Sequence, residues 1–175
     1  MSTQRVIINF VLFQLAWLAF VIGAANQLPW LGFIVGVSLV SVQLIFVPHP
    51  ARELLLVLTI CGIGAVFDQL LLNHGVVQYQ AHGWSIGLVP VWIIGLWIAF
   101  ASTLNVSMRW LRNYRWAAVL LGALGGPLAY VAAQKLGAVT LTITPSSHIV
   151  LGVGWAVLMP LMIHLSKKFD GYAHV

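Results

Sequence analysis

The sequence predicts an all-α membrane protein: a polytopic bundle of six transmembrane helices with both termini cytoplasmic. Three observations carry that reading. Of 175 residues, 61% are apolar and 6% are charged, whereas soluble domains carry about 25% charged residues. The apolar residues come in blocks of about twenty, the length a helix needs to cross a bilayer core. Arg5, Arg52, Arg109, Arg112, Arg115, Lys167 and Lys168 fall on one side of a six-helix path and only Lys135 near the other, so the short-loop cation bias puts the rich side in the cytoplasm.

The six spans lie at approximately 6–24, 29–47, 52–72, 84–105, 116–135 and 148–166, and one transmembrane domain takes the whole chain, 1–175. In the first, Arg5, an apolar run and Gly23-Ala24-Ala25 imitate a signal peptide. Asn9, Gln14 and Trp17 are poor residues for a disposable stretch, so it is read as a retained helix. Asn26-Gln27-Leu28-Pro29 makes a tight turn, with Pro29 suited to the first turn of the second helix. Pro48-His49-Pro50 ends that helix, because proline lacks a backbone donor and disfavours helix in the residue before it. The longest polar connections, 73–83 and 137–147, belong on one side. Within the second of them Val139 to Thr144 alternates apolar and polar, which predicts an extended segment lying at the interface and ended by Pro145. In the fifth helix Gly125-Gly126-Pro127 removes two side chains and one donor in mid-span, predicting a kink around Pro127 or a free carbonyl facing the bundle, a helix break that Tyr130, one turn later, could use. Gly32 and Gly36, like Gly122 and Gly126, have the spacing that lets helices approach closely. Trp30, Trp84, Trp110 and Trp116 sit near block ends, where amphipathic rings favour the lipid interface.

Several functions are disfavoured at once. The formal charge of +5 is spread thinly between apolar blocks, unlike the dense patch of a nucleic-acid binder. Cys61 is the only cysteine, so neither an intramolecular disulfide nor a cysteine-based zinc site can form.

Asp68 is the only acidic residue inside an apolar span, and an ionisable group at membrane depth is a functional candidate by default. Lys135 stands at a similar height on the fifth helix, counting about 1.5 Å per residue. An Asp68–Lys135 pair is therefore the expected answer to the burial cost, with Gln69, Gln134 and Tyr130 as polar neighbours. Asn9, Gln14, Gln43, Ser102, Thr103 and Asn105 gather toward the cytoplasmic half. Such residues commonly bond helix to helix for about 0.6 kcal/mol each; the functional alternative is a polar cleft that admits a lipid head group. His74, His82 and His148 fall in or beside the outer loops but lack diagnostic ligand spacing, so no metal and no cofactor is predicted.

The runs Pro90 to Phe100, Ser107-Met108-Arg109-Trp110-Leu111 and Gly122 to Tyr130, together with Asn9-Phe10, Gln14 and Phe67-Asp68, resemble a bacterial inner-membrane family labelled domain of unknown function 2878. The resemblance covers nearly the whole chain. It implies a small multi-pass protein of the Gram-negative inner membrane, encoded near lipid-modifying methyltransferases, and carries over no activity or catalytic residue.

The leading functional reading is a lipid-associated accessory or binding protein whose partners are membrane lipids. A small transporter or channel coupled through Asp68 is the first alternative, with Gly125-Gly126-Pro127 as its broken helix. An intramembrane enzyme is weakened by the lack of paired carboxylates, of a nucleophile with its base, or of clustered histidines. A structural partner for another membrane protein, or a homo-oligomer, completes the set.

Overall fold

The computed structural model describes residues 2–142 and 146–173. Its helices are set by where prolines and polar turns interrupt the apolar blocks. Helix α1 (Thr3–Ala25) is capped by Ser2, whose hydroxyl accepts the Arg5 amide at 3.4 Å. Helices α2 (Pro29–Leu44) and α3 (Pro50–Asn73) both open on proline, whose missing donor has no intrahelical acceptor in a first turn. After them come α4 (Val91–Leu104), a 3-10 turn at Arg109–Asn113, α5 (Arg115–Lys135) and α6 (Ser146–Lys168). The two long connections, expected on one side, are joined there. Strand β1 (Val77–Tyr79) pairs antiparallel with β2 (Val139–Leu141), Val77 opposite Leu141 and Tyr79 opposite Val139.

Helices α1, α3, α5 and α6 are long and apolar enough to cross a membrane. Helices α2 and α4 have 16 and 14 residues, about 24 and 21 Å of rise against a hydrocarbon core of about 30 Å. Helix α4 is the interior element: eleven of its residues are buried, and it packs on α1, α2 and α3 while α5 pairs with α6. Outward-facing Leu58, Val66, Leu124, Leu128 and Val157 are each 60% exposed or more. Apolar surface on that scale is unusual for a water-soluble monomer and suits hydrocarbon.

Three expectations are corrected. The fourth helix begins at Val91 rather than 84: Pro90 is extended, and the preceding residues turn on themselves through Leu88 N–H to the Ser85 carbonyl at 3.1 Å and Trp84 Nε1 to the Val89 carbonyl at 2.8 Å. The second helix stops at Leu44, because Val47 leaves the helix path to pack with Val106 and Tyr172. Helix α5 continues through Gly125, Gly126 and Pro127 without interruption, so the three residues do not divide it into two helices. The Ala123 carbonyl, which proline leaves without its usual donor, faces Gly152 of α6, where an added Cβ would lie 3.3 Å from it. Of the alternating segment, Val139–Leu141 is strand and residues 143–145 lie outside the described residues.

Packing relies on glycine opposite bulk. A Cβ on Gly64 would stand 2.0 Å from the Trp97 ring, and one on Gly122 would stand 2.2 Å from the Trp155 carbonyl of α6. A Cβ on Gly125 would meet nothing closer than Leu121 at 3.9 Å. Gly122→Ala is therefore expected to force α5 and α6 apart at a cost of about 1–3 kcal/mol, whereas Gly125→Ala is neutral or stabilising by up to about 1 kcal/mol. Melting midpoints of the two variants in the same detergent test this, and equal midpoints would refute the packing assignment.

Candidate functional site

Asp68 is 1% exposed and sits where four elements meet. Its Oδ1 accepts the hydroxyl of Tyr79 from β1 at 2.5 Å and that of Tyr130 from α5, and its Oδ2 accepts the indole N–H of Trp97 from α4 at 2.5 Å. Each donor is fixed in turn. The ladder with Val139 holds Tyr79, whose ring also stands edge-on to Trp92 at 6.1 Å. Gly64, one helical turn before Asp68, leaves the space that the Trp97 ring fills. Burial, and then the Asp68 carboxylate, push the Tyr79 hydroxyl well above its ordinary value, so at neutral pH it remains a donor.

The expected Asp68–Lys135 pair is not formed. Lys135 is exposed at the end of α5, and the ion pairs among the described residues are those of Arg109 and Arg112 with Asp170. Similar height along two helices did not put the side chains on facing sides. Of the neighbours named with them, Tyr130 reaches the carboxylate. Gln69 instead bonds Asn73, the Gly87 carbonyl and the Val89 amide, and Gln134 accepts the Leu141 amide at 2.7 Å.

Beside Asp68 lies a partly open cavity of about 470 Å³, bordered by α1, α4, α5 and α6. Phe13, Gln14 and Trp17 of α1 and Gly122, Gly125 and Gly126 of α5 are among the residues that line it. One wall is aromatic: Trp97 and Trp155 stack at 5.1 Å and 12°, and Phe100 stands edge-on to Trp155 at 5.5 Å. The buried Trp155 indole N–H makes no hydrogen bond. Its nearest polar neighbour is Tyr130, whose hydroxyl gives its proton to Asp68 and keeps lone pairs on its oxygen.

The residues expected to form one polar cleft separate into different places. Asn9 is fully buried; it donates to Gln43 and to the Ser102 carbonyl at 3.0 Å and accepts the Ser107 amide at 3.2 Å, closing the end of α4. Thr103 bonds back to the Phe100 carbonyl. Asn105 joins a second network, donating to Glu53 Oε2 at 2.6 Å and to the Phe169 carbonyl at 3.1 Å and accepting from Arg112. Of the proposed cleft, Gln14 alone lines the large cavity. His74 and His82 each hold a ring nitrogen against a backbone carbonyl, of Leu70 and Leu88, and no group of three potential metal ligands that includes them or His148 occurs among the described residues.

Sequence reasoning missed Glu53 and Asp170. Asp170 takes a bidentate grip from Arg109, at 3.0 and 2.7 Å, and a further bond from Arg112 at 2.7 Å. Glu53 also accepts the Gly171 amide at 3.3 Å, so the segment after α6 is fastened to the start of α3 and to the α4–α5 connection. The available signal was the i, i+3 pair Arg109 and Arg112, too cationic to stay unanswered beside a buried connection.

A family model described as protein of unknown function (DUF2878) matches residues 6–161. The chain belongs to the DUF2878 family. No curated protein and no solved structure matches it. The matched DUF2878 region takes in the Asp68 cluster and the cavity and stops before Asp170.

Burial alone would raise the Asp170 carboxyl, but the hydrogen bonds from Arg112, Arg109 and the Tyr172 amide outweigh it and hold the group below its ordinary value. A lowered folded value means that Asp170 contributes stability above the unfolded carboxylate value of about 3.9, and loses it as pH falls through the lower folded value. Asp170→Asn is expected to cost about 1–3 kcal/mol at neutral pH, and the gap in melting midpoint from the parent should close as pH drops below about 4. A gap independent of pH would mean that the carboxylate charge does not hold the clamp.

Proposed function

We propose that this DUF2878 protein is a six-span, multi-pass protein of the bacterial inner membrane, both termini cytoplasmic, that binds a lipid or other long apolar ligand between α1 and the α5–α6 pair. The observation that carries the reading is the cavity of about 470 Å³, whose lining is apolar and aromatic apart from a few convergent polar groups, as ligand pockets generally are. Those groups define what the ligand presents. The Trp155 indole N–H, which is not in hydrogen-bond geometry with any protein acceptor, can be taken by a ligand oxygen in competition with the Tyr130 hydroxyl oxygen beside it. Asp68 takes three donors, so of the roughly four lone-pair sites of a carboxylate one remains on Oδ2 for a ligand donor. A hydroxyl beside an ester or ether oxygen meets both requirements.

A transporter coupled through Asp68 is the competing reading, favoured by a buried carboxylate that has three neutral donors and no cation. The two separate in one experiment. Protein extracted in mild detergent and weighed intact by native mass spectrometry is expected to retain one lipid class. Trp155→Phe, which keeps the ring and removes the N–H, should lower the retained fraction by about fivefold, the scale of one hydrogen bond. Ligand-free parent protein, or retention unchanged in the variant, would count against binding and leave coupling as the better account.

The topology has its own test. A reporter fused after Val175 is expected to be active in the cytoplasm, because only an even number of spans gathers Arg5, Arg52, Arg109, Arg112, Arg115, Lys167 and Lys168 on one face. Periplasmic activity would overturn it.

A further inference from the structure

The chain has three acidic residues, and Glu53, Asp68 and Asp170 are all buried. Every exposed charged side chain among the described residues is therefore cationic. Where α5 begins and α6 ends, a cavity of about 220 Å³ is bordered by Arg112, Arg115, His164 and Lys167 over an apolar floor that includes Leu111 and Pro160. No acidic residue lines it.

The four basic groups are not equivalent. Arg112 is spent: its Nε, Nη1 and Nη2 bond Ser166, Asp170 and Asn105, so it forms a fixed wall. Lys167 donates one N–H to the Arg112 carbonyl at 2.8 Å, which anchors its ammonium at the rim with two donors left over. Arg115 and His164 are exposed, and Arg115 is the first residue of α5, where helix amides also favour an anion. Trp110, Tyr114 and Trp116, at 54%, 51% and 67% exposure, flank Arg112 and Arg115 in the chain, and exposed aromatic side chains are common at the level of lipid head groups.

We propose that this groove is a site for a phosphate-bearing anion, with Arg115 and Lys167 as the ionic contacts, His164 as a further hydrogen-bonding group, and the apolar floor against the glycerol end when the phosphate belongs to an anionic phospholipid. Cationic pockets between membrane helices take such head groups. The site lies at the opposite end of α5 from Tyr130 and does not depend on the larger cavity's being filled.

The test uses the full chain in neutral detergent, titrated by native mass spectrometry with phosphatidylglycerol, with zwitterionic phosphatidylcholine and with inorganic phosphate. The parent is expected to bind phosphatidylglycerol about tenfold more tightly than phosphatidylcholine, and R115Q/K167Q to bring the two close to parity. Lys135→Gln, at the other end of α5, should leave the preference intact. Displacement of phosphatidylglycerol by millimolar inorganic phosphate identifies a site that soluble anions also fill; failure of displacement identifies a lipid head-group site. Should R115Q/K167Q not fold, the single variant Arg115→Gln and the charge-keeping R115K/K167R decide: loss in the first with retention in the second supports the site. No preference in the parent, or a preference that survives charge removal, overturns it.

Discussion

Asp68 accepts hydrogen bonds from β1, α4 and α5 while standing on α3, and much of the architecture follows from that one carboxylate. A buried carboxylate is tolerable only when its lone pairs are met by donors. Here no lysine or arginine does so, so three neutral donors must converge from separate elements. The short ladder between β1 and β2 makes sense on those terms: it delivers Tyr79 to the same oxygen that Tyr130 reaches from the other side. Glu53 and Asp170 obey the same rule with different donors, an amide side chain and a backbone N–H for one and two guanidiniums for the other.

Helix packing is governed by a second constraint. Lipid tails are as apolar as leucine, so helices gain from close contact more than from apolarity. The chain meets this by setting glycine against large rings. Phe20, fully buried, occupies space that a Cβ on either Gly36 or Gly95 would take, and the Trp97 and Trp155 rings lie against Gly64 and Gly126 in the same way. Aromatic bulk is thereby concentrated where α4, α5 and α6 meet, and of the α5 glycines only Gly125 is left without a close neighbour.

What the sequence made legible was whatever one helix decides alone. Block length and proline placement yield the six helices, alternation in Val139 to Leu141 marks an extended segment, and Asp68 is conspicuous as an acid at depth. What it hid were relations between elements. Residue counting gives Asp68 and Lys135 the same height but says nothing about rotation, and rotation turned Lys135 outward. Tyr79 was invisible because a three-residue strand carries too little pattern to read. Glu53 and Asp170 sit at chain positions where charges usually face water, and only the fold brings Arg109, Arg112 and Asn105 around them.

The open middle of the molecule follows from where the α5–α6 pair is fastened. These two helices pack extensively on each other and sparsely on α3 and α4. Near the end of α5 the pair is held by Tyr130 on Asp68, and near its beginning Arg109 and Arg112 hold Asp170, just beyond α6. Between these levels the Trp97–Trp155 stack is the principal bridge from α6 to α4, and α1 stays on the far side with α2 and α4. Two directional polar clamps with an aromatic strut between them fix a spacing without filling it. Apolar packing alone would draw the elements together until the gap closed. The clamps therefore determine the cavity as much as its apolar lining does, and a ligand entering beside Asp68 meets a volume whose width is set by one clamp in its wall and another beyond it.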